Sequence, residues 1–138
     1  MGIDAADFNN DGVLDLCVLD MMAADNYRKK TNMSGMNPET FWDNVRIGRH
    51  FQYMQNTLQM GNGDGTFSEV AELAGIANTD WSWTSLFADL DNDGDLDYVV
   101  NNTNDLAFVY KNNTRELEPT SSNFLNITFN GSQKNPKG

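Results

Sequence analysis

Two short segments of the chain place acidic and amide side chains at alternating positions. In both segments, oxygen-bearing side chains stand at positions one, three, five and nine. These side chains are Asp7, Asn9, Asp11 and Asp15 in the first segment and Asp89, Asp91, Asp93 and Asp97 in the second. Side chains spaced in this way along a tight loop can converge on one cation, and calcium takes about six to eight oxygen ligands in flexible geometry.

Two further positions of each segment fit the same chemistry. Gly12 and Gly94 stand at position six, where a sharp backbone turn would be obstructed by a side chain. Position seven would offer a backbone carbonyl, from Val13 in the first segment and from Asp95 in the second. We therefore predict two calcium sites, in loop 1 (Asp7 to Asp15) and in loop 2 (Asp89 to Asp97).

Other metal sites fit less well. An EF-hand needs a glutamate at position twelve and flanking helices, whereas Val18 and Val100 stand there, in strand-like runs. Zinc prefers cysteine and histidine, and the sequence has only Cys17 and His50. Magnesium remains an alternative to calcium as the bound ion, although magnesium prefers rigid octahedral sites. Asp/Asn/Gly turns without a metal are also common, but two matched copies favour metal binding.

Composition limits the classes of partner. The chain has 138 residues, 39% of them hydrophobic, and a formal net charge of -11. An acidic chain repels phosphate backbones, so nucleic acid is not expected as a partner. Ten of the 20 carboxylates lie in Asp4 to Asp20 and Asp89 to Asp97, which again indicates a cation. No transmembrane segment is expected, and the N-terminus lacks the basic and apolar regions of a signal peptide.

Hydrophobic patterning predicts a mainly β fold with about eight strands in two sets of four. Each acidic loop would join two strands as a long hairpin, and a third hairpin would turn at Asn62 to Thr66. Residues 22–52 lack a strand pattern. They contain a predicted helix from Pro38 to about Arg49, with Asn37 as its N-cap. We expect Trp81 and Trp83, with Phe41 and Trp42, in the core rather than in a sugar-stacking platform.

The two loops and the surrounding motifs resemble the FG-GAP/VCBS repeats of integrin-type β-propellers. The segment Asn62 to Phe67 is similar to the hairpin between the third and fourth strands of such blades. Residues 53–59 and 78–83 resemble bacterial relatives of the cartilage acidic protein family, which carry an ASPIC/UnbV C-terminal region. Phe124 to Gly138 resembles the start of that region.

The resemblance implies about two four-stranded propeller-type blades. We expect the first blade in residues 1–75, with the helical insertion at 22–52, the second in 76–131, and a frayed tail at 132–138. Propellers close with about four to eight blades, so two blades need other copies of the chain or the remainder of a parent propeller. The ligand of such a module could be either a protein or a glycan.

The family implies a structural, adhesive or assembly role at the cell surface or outside the cell, without catalysis. The alternative is a fragment of an extracellular enzyme that acts on polysaccharide, since paired carboxylates can hydrolyse glycosides. Nearly every clustered acid, however, belongs to one of the two loops.

Overall fold

The computed structural model of the chain describes residues 2–32, 37–117, 125, 127 and 128. These residues form two four-stranded antiparallel sheets and three helices, which confirms the predicted mainly β fold. The first sheet has the order β1-β2-β4-β5, with bounds Ile3–Ala6, Asp15–Val18, Thr57–Gly61 and Phe67–Glu69. The second has the order β3-β6-β7-β8, with bounds Met21–Met22, Asp80–Ala88, Asp97–Asn102 and Phe108–Tyr110.

The three predicted hairpins are all present. Loop 1 joins β1 to β2, and loop 2 joins β6 to β7. A turn joins β4 to β5, and the Asn62 amide donates a hydrogen bond to the Thr66 carbonyl across it at 3.0 Å. Val18 and Val100, which follow the two loops, lie in β2 and β7. The strand context that argued against an EF-hand is therefore confirmed.

One strand was not expected. Met21 and Met22 form β3 at the edge of the second sheet, where they pair with Trp81 and Asp80 of β6. No strand is predicted at these two residues, because two residues are too short to show a period. Phe124 to Phe129, whose alternating pattern makes it one of the eight predicted strands, lies outside the described residues apart from 125, 127 and 128, and so does the predicted frayed tail at 132–138.

The two sheets share one hydrophobic core. Its buried members come from both sheets and from the turn after β5; they are Cys17, Leu19, Leu58, Ala71, Ile76, Ala77, Tyr98 and Val100. The Cys17 Sγ lies 3.1 Å from the Tyr98 hydroxyl, so β2 of one sheet contacts β7 of the other. Cys17 is fully buried, and burial raises the pKa of its thiol.

One expectation about the core was wrong, because Trp42, Trp81 and Trp83 are exposed. Along β2 and the residue after it, the inward side chains are Asp15, Cys17 and Leu19, whereas Leu16 and Val18 lie on the other face. Both sets of alternating residues contain large apolar side chains, so composition did not distinguish the two faces. Trp81 and Trp83 are 45% and 52% exposed rather than buried, because they alternate with Asp80 and Ser82, which face inward.

The insertion contains two helices, α1 (Asn26–Asn32) and α2 (Pro38–Arg46). The predicted N-cap of α2 is confirmed, since the Asn37 side chain accepts a hydrogen bond from the Glu39 amide at 2.9 Å. The helix ends earlier than the predicted Arg49, because Gly48 adopts a φ of 84°. A third helix, α3 (Thr114–Leu117), follows β8. None of the helices in the described parts of the chain could cross a bilayer.

Candidate metal centre

Loop 1 and loop 2 have left-handed backbone conformations at the same two positions. Position four is left-handed in both, with a φ of 59° at Asn10 and 62° at Asn92. Position six is left-handed as well, with a φ of 88° at Gly12 and 96° at Gly94. Asparagine and glycine tolerate this region better than other residues. The repeated sequence pattern thus corresponds to a repeated three-dimensional turn.

In loop 1 the acidic side chains bind the loop's own backbone. The Asp7 carboxylate accepts hydrogen bonds from the amides of Asp11 (3.0 Å) and Gly12 (2.9 Å). Asp11 Oδ1 accepts one from the Val13 amide at 2.8 Å, and Asp11 Oδ2 accepts one from the Asn9 side chain at 2.9 Å. The three carboxylates of loop 1 do not form a cluster as close as the one in loop 2.

In loop 2 three predicted ligands come together. One carboxylate oxygen from each of Asp89, Asp91 and Asp93 lies within 4.8 Å of the other two. Calcium–oxygen distances of about 2.3–2.6 Å place oxygens on opposite sides of one ion about 5 Å apart. These acidic residues could therefore hold a metal ion, and an all-oxygen donor set suits a hard cation such as calcium, magnesium or manganese.

The aspartate at position nine of each loop forms hydrogen bonds with backbone amides at the end of the loop. Asp15 is fully buried and accepts hydrogen bonds from the amides of Phe8 (3.1 Å) and Gly61 (2.8 Å). Asp97 is also buried and accepts from the amides of Leu90 (3.1 Å) and Asn112 (3.0 Å). Burial is the main cause of the raised pKa of Asp15. The two predicted ligands thus hold the loop ends to neighbouring backbone.

Three residues of the loop 2 site were not found from the sequence. Lys111 Nζ pairs with Asp91 at 2.6 Å, with Glu116 at 3.1 Å and with Asp93 at 3.2 Å. These hydrogen bonds raise the pKa of the Lys111 ammonium above its usual value. The Arg115 amide donates to Asp95 Oδ2 at 3.1 Å, and the Arg115 guanidinium donates to the Asp93 carbonyl. No local motif marks these residues, because they follow β8 and approach loop 2 only in the fold.

The sequence of residues 43–100 matches the family model of the FG-GAP-like repeat. This match includes β4 to β6, loop 2 and most of β7, whereas loop 1 lies before it. No curated protein and no solved structure matches the chain significantly. The segment 43–100, which includes Asp89, Asp91 and Asp93 of loop 2, thus matches an FG-GAP-like repeat, and the match supports the FG-GAP family.

Proposed function

We propose that the chain is a calcium-binding repeat module of the β-propeller type, and that each loop binds one calcium ion. The observation that carries this proposal is the convergence of the Asp89, Asp91 and Asp93 oxygens in a loop that shares its two left-handed positions with loop 1. The ligands would be the side chains at positions one, three, five and nine and the carbonyls of Val13 and Asp95.

The role of these ions would be structural. Carboxylates held close together repel one another, so the folded loops gain stability when a divalent cation neutralises them. Extracellular calcium modules typically bind with dissociation constants of about 10⁻⁴–10⁻³ M. The resemblance to extracellular and cell-surface repeat proteins fits such a module, which would be saturated outside the cell and largely empty inside it.

Thermal unfolding in calcium and in chelator tests this role. A ligand at a hundredfold excess over its dissociation constant raises the free energy of unfolding by about 2.7 kcal/mol. We expect calcium to raise the melting temperature of the wild-type chain, and magnesium at the same concentration to raise it less. A melting temperature that is the same in calcium and in chelator would contradict the structural role.

We also propose that the outer face of the second sheet is covered by another blade, from a second copy or from the remainder of a parent propeller. Leu86, Val99 and Val109 are direct cross-strand neighbours on β6, β7 and β8. Leu86 and Val109 are exposed, as are Trp81 and Trp83 on the same strand as Leu86. Apolar surface left in water costs about 25 cal/mol per Å².

Light scattering with Leu86→Lys tests this assembly. The variant places a charge at the centre of the apolar row, so we expect a smaller particle than the wild type in calcium. Leu106→Lys is the matched control, since Leu106 is exposed in the turn before β8 rather than on a strand. If the wild type is a monomer at every calcium concentration, the assembly proposal fails.

We propose no catalytic role. The hydroxyl of Ser82 lies 2.8 Å from both Thr79 Oγ1 and Asn102 Oδ1, in a buried network, so it is not presented to a substrate. The close groups of acids among the described residues lie in loop 2 and at Glu116 of α3 beside it. A glycosidase assay on polysaccharides distinguishes a structural module from a fragment of an enzyme. Turnover by the wild type that is lost in a loop variant would favour the enzyme.

A further inference from the structure

We propose that a further divalent cation binds beside loop 2, between Asp93, Asp95 and Glu116. This position would use the Asp95 side chain, whereas the loop proposed above uses only the Asp95 carbonyl. It would also use Glu116, which lies in α3, outside the repeat motif. The chain would then bind one more ion than the two that its loops account for.

The geometry of the three carboxylates fits one ion. One oxygen from each of Asp93, Asp95 and Glu116 lies within 4.8 Å of the other two. This spacing is compatible with a calcium ion, whose ligands lie about 2.3–2.6 Å from it. Asp93 belongs to this group and to the loop 2 group, so its carboxylate would bridge the two ions.

The side chain of Asp95 gives a second, independent observation. Asp95 is 0% exposed, and its Oδ2 accepts a hydrogen bond from the Arg115 amide at 3.1 Å. Its other oxygen, Oδ1, has no hydrogen-bond partner among the described residues. A buried carboxylate oxygen without a partner is unfavourable unless a proton or a cation compensates it. Binding loop 2 through the Asp95 carbonyl would leave this oxygen uncompensated.

The formal charge of the cluster exceeds what one divalent ion can neutralise. Around loop 2 stand two basic side chains, Lys111 and Arg115, and six acidic ones, Asp89, Asp91, Asp93, Asp95, Asp97 and Glu116. One divalent ion would reduce the four excess negative charges to two, and a second would neutralise them. The ion pairs of Lys111 reach Asp91, Asp93 and Glu116 but not Asp95. Lys111 therefore does not compensate the buried carboxylate of Asp95.

Loop 1 provides an internal comparison, because it lacks the residues for such a position. Val13 stands where loop 2 has Asp95, and the close groups of three acids among the described residues all lie at loop 2. We therefore expect the additional ion at loop 2 alone.

Counting bound calcium tests the proposal. The full chain is dialysed to equilibrium against calcium chloride at saturation, and bound calcium is measured by elemental analysis. We expect three ions per wild-type chain and two per Glu116→Gln chain. The Glu116 side chain is 49% exposed, so the substitution should not prevent folding. Glu39→Gln, on α2, removes the same charge outside the cluster and should keep three ions.

The outcome separates this inference from the proposed function. Two ions in the wild type, with two in Glu116→Gln, would overturn the additional position and leave one ion in each loop. Three ions in both proteins would also overturn it, because Glu116 would then not be a ligand. Fewer than two ions in the wild type would contradict the proposal for the loops themselves.

Discussion

The Asn10 side chain of loop 1 donates a hydrogen bond from Nδ2 to the backbone carbonyl of Gly94 in loop 2, at 3.1 Å. The two residues are 84 positions apart in the chain. A second link runs through Asn112, whose Nδ2 donates to the carbonyls of Phe8 (2.7 Å) and Leu96 (3.2 Å). The loops of the two sheets therefore touch directly, and a change in one can be transmitted to the other.

This contact predicts coupled calcium binding. An ion that orders loop 1 would also fix Gly94, so we expect each loop to bind calcium more tightly when the other is occupied. Couplings between sites are typically about 1–3 kcal/mol, and a net hydrogen bond contributes about 1 kcal/mol. Asn10→Ala should reduce the coupling measured by calorimetry.

Asn92→Ala is the matched control for the backbone cost of this substitution. Asn92 has the same left-handed φ in loop 2, but no side-chain hydrogen bond from it to loop 1 is among the described contacts. Equal losses of coupling in the two variants would show that strain, and not the Asn10 contact, is responsible.

Removing the Lys111 charge should tighten calcium binding at loop 2. The ammonium pairs with Asp91 and Asp93, so it competes with an ion for the same oxygens. Because these groups are partly exposed and screened, we expect Lys111→Gln to lower the dissociation constant by about two- to five-fold. Lys30→Gln, on the exposed surface of α1, is the control for net charge. Weaker binding in Lys111→Gln would mean that the lysine instead organises the loop.

The pair between Arg28 and Asp80 should stabilise the fold independently of calcium. The Arg28 guanidinium donates to both oxygens of Asp80, at 2.5 and 2.8 Å, and so joins α1 to β6. Asp80 is only 3% exposed, so Arg28→Met would leave a buried carboxylate without this partner. We expect a loss of about 2–4 kcal/mol in the free energy of unfolding, measured in chelator.

Arg46→Met is the control for that measurement. Arg46 pairs with Asp43 at a similar distance, 2.9 Å, but both side chains are largely exposed on α2. Surface pairs of this kind contribute about 0–1 kcal/mol. If both variants lose the same stability, burial of Asp80 is not the cause.

Local features of the sequence predicted the loops, the hairpins and the start of α2. Glycine and asparagine mark the turns, and the Asn37-Pro38 pair marks the helix start, because each acts on its own backbone. The inward face of β2 was not predictable in this way, since Leu16 and Cys17 are both apolar. The face of β2 that carries Asp15 and Cys17 points inward, and the buried Asp15 accepts a hydrogen bond from the Gly61 amide of the neighbouring strand.

The strand β3 and the position of Glu116 were not predicted, because both depend on contacts with distant segments of the chain. Met21 and Met22 form a strand only because β6 lies beside them. Glu116 lies near Asp93 and Asp95 only because α3, which follows β8, lies beside loop 2 in the fold. Spacing along the chain carries no information about such contacts.

Calorimetric titration of calcium into the calcium-free chain tests the central claim most directly. We expect saturable binding in the wild type, the loss of one ion in Asp11→Ala, and weakened binding at loop 2 in Asp89→Ala. The variants assign the heat to individual loops, since Asp11 and Asp89 belong to one loop each. No heat of binding in the wild type, together with no calcium in the purified protein, would contradict the assignment of both loops as calcium sites.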